Sequence, residues 1–211
     1  MKQIIGYMKY DYIKLKYGMR FTMLLFIVIS GVFASKSGLG AVGYMLFGAM
    51  IVASTTFGPS GQTVSFGDLV PGTTMQKVLG KHLMELVIIA LAVAVSLIVV
   101  KVIEFAGFDN GGADLQLLAG LVGITLFLLA IQNVLLYLLI PVLGWQFANI
   151  IRMIPGFILF FLVMNAKTAT STARILAEVR FPGMIILGIG AAALAAGMFL
   201  SYGIVRKREG K

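Results

Sequence analysis

The sequence predicts an all-α integral membrane protein, with six transmembrane helices, an N-terminal amphipathic interfacial helix and a short cytoplasmic helix before the third span. Three observations predict this. Of the 211 residues, 60% are apolar and only 12% are charged, and the mean hydropathy is +1.01. Six apolar stretches approach the roughly 20 residues that a helix needs to cross the hydrocarbon core. Basic residues collect at the two ends of the chain. Ordinary soluble domains carry roughly 25% charged residues. A water-soluble fold of this size could not hide so much apolar surface, so its solvent is lipid.

Residues 1–20 form the first element. At about 100° per residue, Ile4, Met8, Tyr12, Leu15 and Met19 fall within roughly an 80° arc, with Lys2, Lys9, Lys16 and Arg20 opposite. Such a helix lies on the membrane surface, with Tyr7, Tyr10 and Tyr17 at headgroup depth. Residues 21–205 form the membrane domain. Its spans are Phe21 to Ser35, Leu39 to Phe57, Leu83 to Val100, Leu115 to Ile140, Val142 to Met164 and Met184 to Val205. Pro141 and Gly144 mark a tight turn between the fourth and fifth. Pro155 is expected to kink the fifth, and Pro182 and Gly183 open the sixth. Residues 206–211 are a basic tail. In the sixth span Gly188, Ala192 and Ala196 share one face, which suits either packing within the bundle or a dimer seam.

Flanking Lys and Arg set the orientation. Lys2, Lys9, Lys14, Lys16 and Arg20 place the N-terminus in the cytoplasm, and Arg206, Lys207, Arg208 and Lys211 place the C-terminus there. Lys77 and Lys81 put the loop after the second span on the same side. Glu104, Asp109 and Asp114 put the next loop outside. Lys167, Arg174 and Arg180 run against this trend. The first span is expected to serve as its own insertion signal, with no cleavable leader. The expected location is the inner membrane of a bacterium.

Several chemistries are disfavoured. The net charge of +9 comes from residues at the ends of apolar runs rather than from one soluble face, so no nucleic-acid partner is expected. The chain has no cysteine and one histidine, His82, so no metal site is expected. His82 reads as an interfacial residue at a helix start. Gly58-Pro59-Ser60-Gly61 matches the GxSG pattern of rhomboid proteases, but Ser60 sits in a polar loop and His82 at a helix mouth, so no catalytic residue is assigned. No GxxxxGK[ST] loop is present. No pair of buried carboxylates appears, with Glu85 and Lys101 near the ends of the third span, which argues against an ion-coupled carrier. Arg152, with Asn149 one turn earlier, is the exception within an apolar stretch. An unpaired arginine in mid-membrane costs at least ~2.5 kcal/mol. Either both residues face a wet translocation path, or the fifth span starts near Met153 with Arg152 among the headgroups.

The polar segment 58–82 carries a family resemblance. Val70-Pro71-Gly72-Thr73-Thr74-Met75-Gln76-Lys77-Val78-Leu79-Gly80-Lys81-His82-Leu83 reads as a proline-started helix feeding the third span. It resembles the cytoplasmic loop of the small bacterial type-2 ABC exporter permeases. There a leucine-proline pair is followed by a serine, an arginine-lysine pair and, five residues on, lysine-tyrosine. Val70-Pro71, Thr73 and Lys81-His82 take those places without a gap. Thr74 and Met75 replace the arginine-lysine pair, and only Phe66-Gly67-Asp68 stands where an acidic, tryptophan-containing run is usual. The arrangement of spans and loops resembles the same family along the whole chain.

The resemblance implies a transport subunit rather than an enzyme. It implies two separate ATPase subunits that bind ATP and Mg, and a second permease, identical or a sister. The segment would be a coupling helix, with Pro71, Thr73, Gln76, Lys77 and Lys81 as ATPase contacts and Leu143 to Gln146 as a minor one. The cargo implied is hydrophobic or amphipathic: a peptide, antibiotic or lipid-like molecule. The segment 165–181 would form an external re-entrant cap or a plain loop. The alternative function is a stand-alone membrane immunity or stress protein that binds toxic peptides without ATP.

Overall fold

The computed structural model describes residues 2–18, 20–55, 72–108, 114–164 and 182–208. These are helical almost throughout and contain no strand. In chain order the helices are α1 (Lys2–Gly18), α2 (Arg20–Ala34), α3 (Gly38–Thr55), α4 (Thr74–Phe105), α5 (Leu115–Met164) and α6 (Pro182–Arg208). Three pieces are long and apolar enough to cross a membrane: α4, Leu115–Leu139 of α5, and α6. The pair α1–α2, bent by 72°, would make a fourth. The sequence counted six. The difference lies in length: α2 has 15 residues and so rises only about 22 Å, against a hydrocarbon core of about 30 Å. The apolar parts of α3 and of the second half of α5, Gly38–Ala53 and Met153–Leu162, are shorter than a full span too. Large apolar side chains such as Leu91, Ile98, Phe105, Ile189 and Phe199 point outward, as a lipid-facing surface requires.

The expected N-terminal helix is present, but rotated from its expected face. Tyr7, Asp11 and Leu15 are buried, whereas Tyr12 is 55% exposed. Apolar periodicity alone placed the stripe at Ile4, Met8 and Tyr12. It could not foresee that tertiary packing would draw in an aspartate and a tyrosine. Tyr7 is buried against protein rather than left on the outer face of the helix. It packs on the start of α4, where a Cβ at Gly72 would come within 2.8 Å of the Tyr7 hydroxyl and one at Gly80 within 3.0 Å of the Tyr7 Cβ.

The broadest helix interface joins α5 and α6. It is parallel and built on backbone contact. A Cβ at Gly183 would overlap the Gln116 carbonyl, and one at Gly190 would overlap the Gly123 carbonyl. One at Gly197 would meet the Ala130 Cβ at 3.2 Å. Gln116, Gly123 and Ala130 thus face Gly183, Gly190 and Gly197 in one register with heptad spacing. The small face expected at Gly188, Ala192 and Ala196 is the other side of the helix. All three are exposed, and nothing lies within 4 Å of a Cβ at Gly188. Packing inside the bundle therefore uses a different set of small residues.

This register constrains α5. A straight helix would put Met164 about 72 Å from Gln116. The chain from Met164 to Pro182 reaches at most about 65 Å, and Gly183 lies against Gln116. Leu129 and Leu159 also belong to one hydrophobic core. The two halves of α5 are therefore not collinear. Helical bonding nonetheless runs through Pro141 and Gly144, so the expected tight turn is not a break in the helix. A proline removes one N–H and bends a helix without having to end it.

The core is shared by the whole bundle. Leu46, Met50, Leu129 and Leu159 are fully buried in it. An aromatic group ties α2, α3 and the second half of α5 together. Phe47 stands 6.2 Å from Phe26, 5.7 Å from Phe157 and 5.4 Å from Phe160 between ring centroids. The α5–α6 seam yields the first prediction. Gly190→Val must push two backbones apart and should cost about 1–3 kcal/mol or more, whereas Gly188→Val should be neutral. Thermal unfolding of the two purified variants in detergent measures the difference.

Candidate functional site: a buried carboxylate–amide cluster beneath the N-terminal helix

Helix α4 starts with a reciprocal cap. The Gln76 amide N–H donates to the Thr73 hydroxyl at 3.3 Å, and the Thr73 N–H donates to Gln76 Oε1 at 3.0 Å. This capping box satisfies two backbone donors that a helix start leaves bare. The helix therefore begins at Thr74, set by Thr73 rather than by the proline expected to start it. Pro71 lies outside the described residues, as do Ser60 and segment 165–181. At 32 residues, α4 is about 48 Å long. Its first turns extend beyond an apolar run of about 30 Å. They are the start of the spanning helix itself, not a separate short one.

Of the coupling residues expected from sequence, the structure brings Thr73, Gln76, Lys77 and Lys81 onto this projecting start. Thr73 and Gln76 bond each other, so their main role in the fold is capping. Lys77 and Lys81 are half-buried, and each makes an interaction of its own. Asn149 and Arg152 lie in α5, but their side chains are outside the described residues. The apolar piece in that half of α5 begins at Met153.

One turn beyond Lys81 stands Glu85, with no exposed surface. Its Oε2 accepts a 2.6 Å hydrogen bond from Asn133 Nδ2 of α5, which is also fully buried. Two further charged groups act on Glu85: Lys81 from the same helix and Asp11 from α1, 6% exposed. Tyr137, one turn past Asn133, feels both carboxylates. The expectation that no pair of buried carboxylates exists is thus overturned. Helix α1 carries Asp11 into the bundle, near enough to act on Glu85. His82 is also corrected. It lies two turns past the start of α4 and is buried, with Nδ1 2.9 Å from the Val78 carbonyl.

Two oxygens of the Glu85–Asn133 pair have no partner: Glu85 Oε1 and Asn133 Oδ1. Gln132 Oε1 and His82 Nε2 are likewise buried without one. Among the described residues no group of three or more acidic, histidine or cysteine side chains is placed to hold a metal. The cluster lies at one end of the bundle. Tyr7 packs on the start of α4, Asn133 reaches Glu85, and Arg208 at the end of α6 donates to the Leu138 carbonyl at 3.0 Å. The sequence held one signal for this site, the adjacent amides Gln132 and Asn133 in the middle of an apolar stretch.

Comparison with known proteins gives no match to a protein-family model, a curated protein or a solved structure.

The Glu85–Asn133 bond gives the second prediction. Asn133→Leu leaves a fully buried carboxyl unpaired and should cost about 1–3 kcal/mol. Adding Glu85→Leu removes both polar groups and should recover most of that loss. Unfolding curves of the two single variants and the double variant in detergent close the cycle.

Proposed function

We infer that this chain is the membrane subunit of an ATP-driven exporter, coupled through the start of α4 to a separate ATP-binding subunit. The observation that carries this reading is the capped, lysine-bearing start of α4, which projects past the apolar run and continues into it as one rigid helix. A push at Thr74–Lys77 would reach the membrane directly along that helix. Helix α1 braces this start through Tyr7, and the basic end of α6 lies at the same end of the bundle. A positive end faces the cytoplasm, which is where an ATPase would sit.

The six-span arrangement belongs to the same reading. Since α5 and α6 are parallel, the chain between them must return. If both cross the membrane, Met153–Leu162 lies on the return crossing. With α2 and α3 as the first pair, both termini fall on the cytoplasmic side. A second permease, identical or a sister, would complete the path, and the cargo would be hydrophobic or amphipathic. The buried carboxylates do not turn the reading toward an ion-coupled carrier. Such carriers hold their ions near the midplane, and this cluster lies close to one end.

An ATP-binding subunit should be encoded beside this chain, and the test is co-expression of the two. Lys77→Glu should abolish co-purification and ATPase stimulation in lipid while leaving the thermal midpoint unchanged. Lys81→Glu is a poorer probe, because it would add a negative charge next to Glu85. If Lys77→Glu assembles and stimulates normally, the docking assignment is wrong.

A further inference from the structure

We propose that Glu85 is a reversible proton-binding site, in which the protonated carboxyl closes a two-bond pair with the Asn133 amide and loss of the proton loosens α1 from the bundle.

The orphaned atoms point to the ligand. Asn133 Nδ2 donates to Glu85 Oε2 at 2.6 Å. The other oxygen of each side chain is buried and bare. Both are acceptors, so neither can satisfy the other while Glu85 is ionised. One proton on Oε1 changes that. The acid then donates to Asn133 Oδ1 while Oε2 still accepts from Nδ2, and the amide and the acid pair edge to edge. A buried polar atom left without a partner is costly, and here a single proton satisfies two. It comes from water and returns to water, and no other bond changes.

The surrounding charges give the proton its consequence. Asp11 comes from α1 and Lys81 from α4, and Tyr137 of α5 feels both carboxylates. His82, on the same helix, shares the field of Lys81. Among the described residues, α2, α3 and α6 contribute no charge acting on Glu85. With Glu85 protonated, the Asp11 carboxylate and the Lys81 ammonium balance. With Glu85 ionised, two carboxylates on different helices face one ammonium, and the excess negative charge lies across the α1–α4 contact. Like charges in a poorly hydrated site repel strongly. The repulsion bears on helix α1, which packs mainly on α4 and only slightly on α2. This site is independent of the ATPase reading and survives its failure.

The experiment is infrared spectroscopy of the full chain in lipid nanodiscs across a pH series. The protein should show a protonated-carboxyl carbonyl band at low pH that is lost as pH rises. Growth on carbon-13 glutamate should shift that band in the unmodified protein, which requires no substitution to fold. Glu85→Gln should lack the band at every pH, and Glu104→Gln should keep it. Because the chain has no cysteine, Leu15→Cys reports on α1 directly. Its maleimide labelling rate, divided by the rate of the same variant carrying Glu85→Gln, should rise several-fold as pH rises. A band that glutamate labelling does not shift would overturn the proposal. So would one that responds to sodium and not to pH, since the ligand would then be a metal cation. A labelling ratio that stays flat with pH would refute the release of α1.

Discussion

Glycine brings α5 and α6 into backbone contact, and much of the architecture follows from that contact. In lipid no hydrophobic force drives two helices together, so close packing of small residues has to hold them. Gly183, Gly190 and Gly197 supply the close approach, and their register with Gln116, Gly123 and Ala130 makes the pair parallel. Parallel neighbours force the chain to come back between them. That return bends α5, brings Phe157 and Phe160 against Phe47, and closes the core across α3. It also carries the basic end of α6 to the side where α1 braces α4.

The polar cluster depends on the same geometry. Asn133 lies within the α5 leg that α6 holds in place, and it donates to Glu85 of α4. Each of these groups would be costly alone in an apolar bundle. Together they make a small polar knot that ties three helices: Asp11 from α1, Lys81 and Glu85 from α4, and Asn133 and Tyr137 from α5. The knot sits where the N-terminal helix, the first turns of α4 and the middle of α5 meet.

Helical class and the presence of several helices apolar enough to cross a membrane were legible in the sequence because composition and long apolar runs report them directly, whereas the count of six spans was not. The N-terminal helix was legible as an element but not in its facing, since periodicity cannot see tertiary packing bury Tyr7 and Asp11. The small-residue stripe was misread for a related reason. Gly188, Ala192 and Ala196 share a helix face, yet the partner backbone selects the heptad set, and that choice is made by α5. The pairing of Glu85 with Asn133 joins residues far apart in the chain, and no local pattern encodes it. Thr73 and Gln76 show the opposite case. Their spacing is that of a capping box, a local role that four consecutive residues encode by themselves.

The account stands on one spatial claim: the start of α4 and the end of α6 share one side of the membrane, and the junction of α4 and α5 occupies the other. Single cysteines at Lys77, Arg208 and Asp114 can be labelled in sealed vesicles of known orientation with a reagent that cannot cross lipid. The account predicts that Lys77→Cys and Arg208→Cys react from the cytoplasmic side alone, and Asp114→Cys from the opposite side alone. Labelling of Lys77→Cys and Arg208→Cys from opposite sides would contradict it.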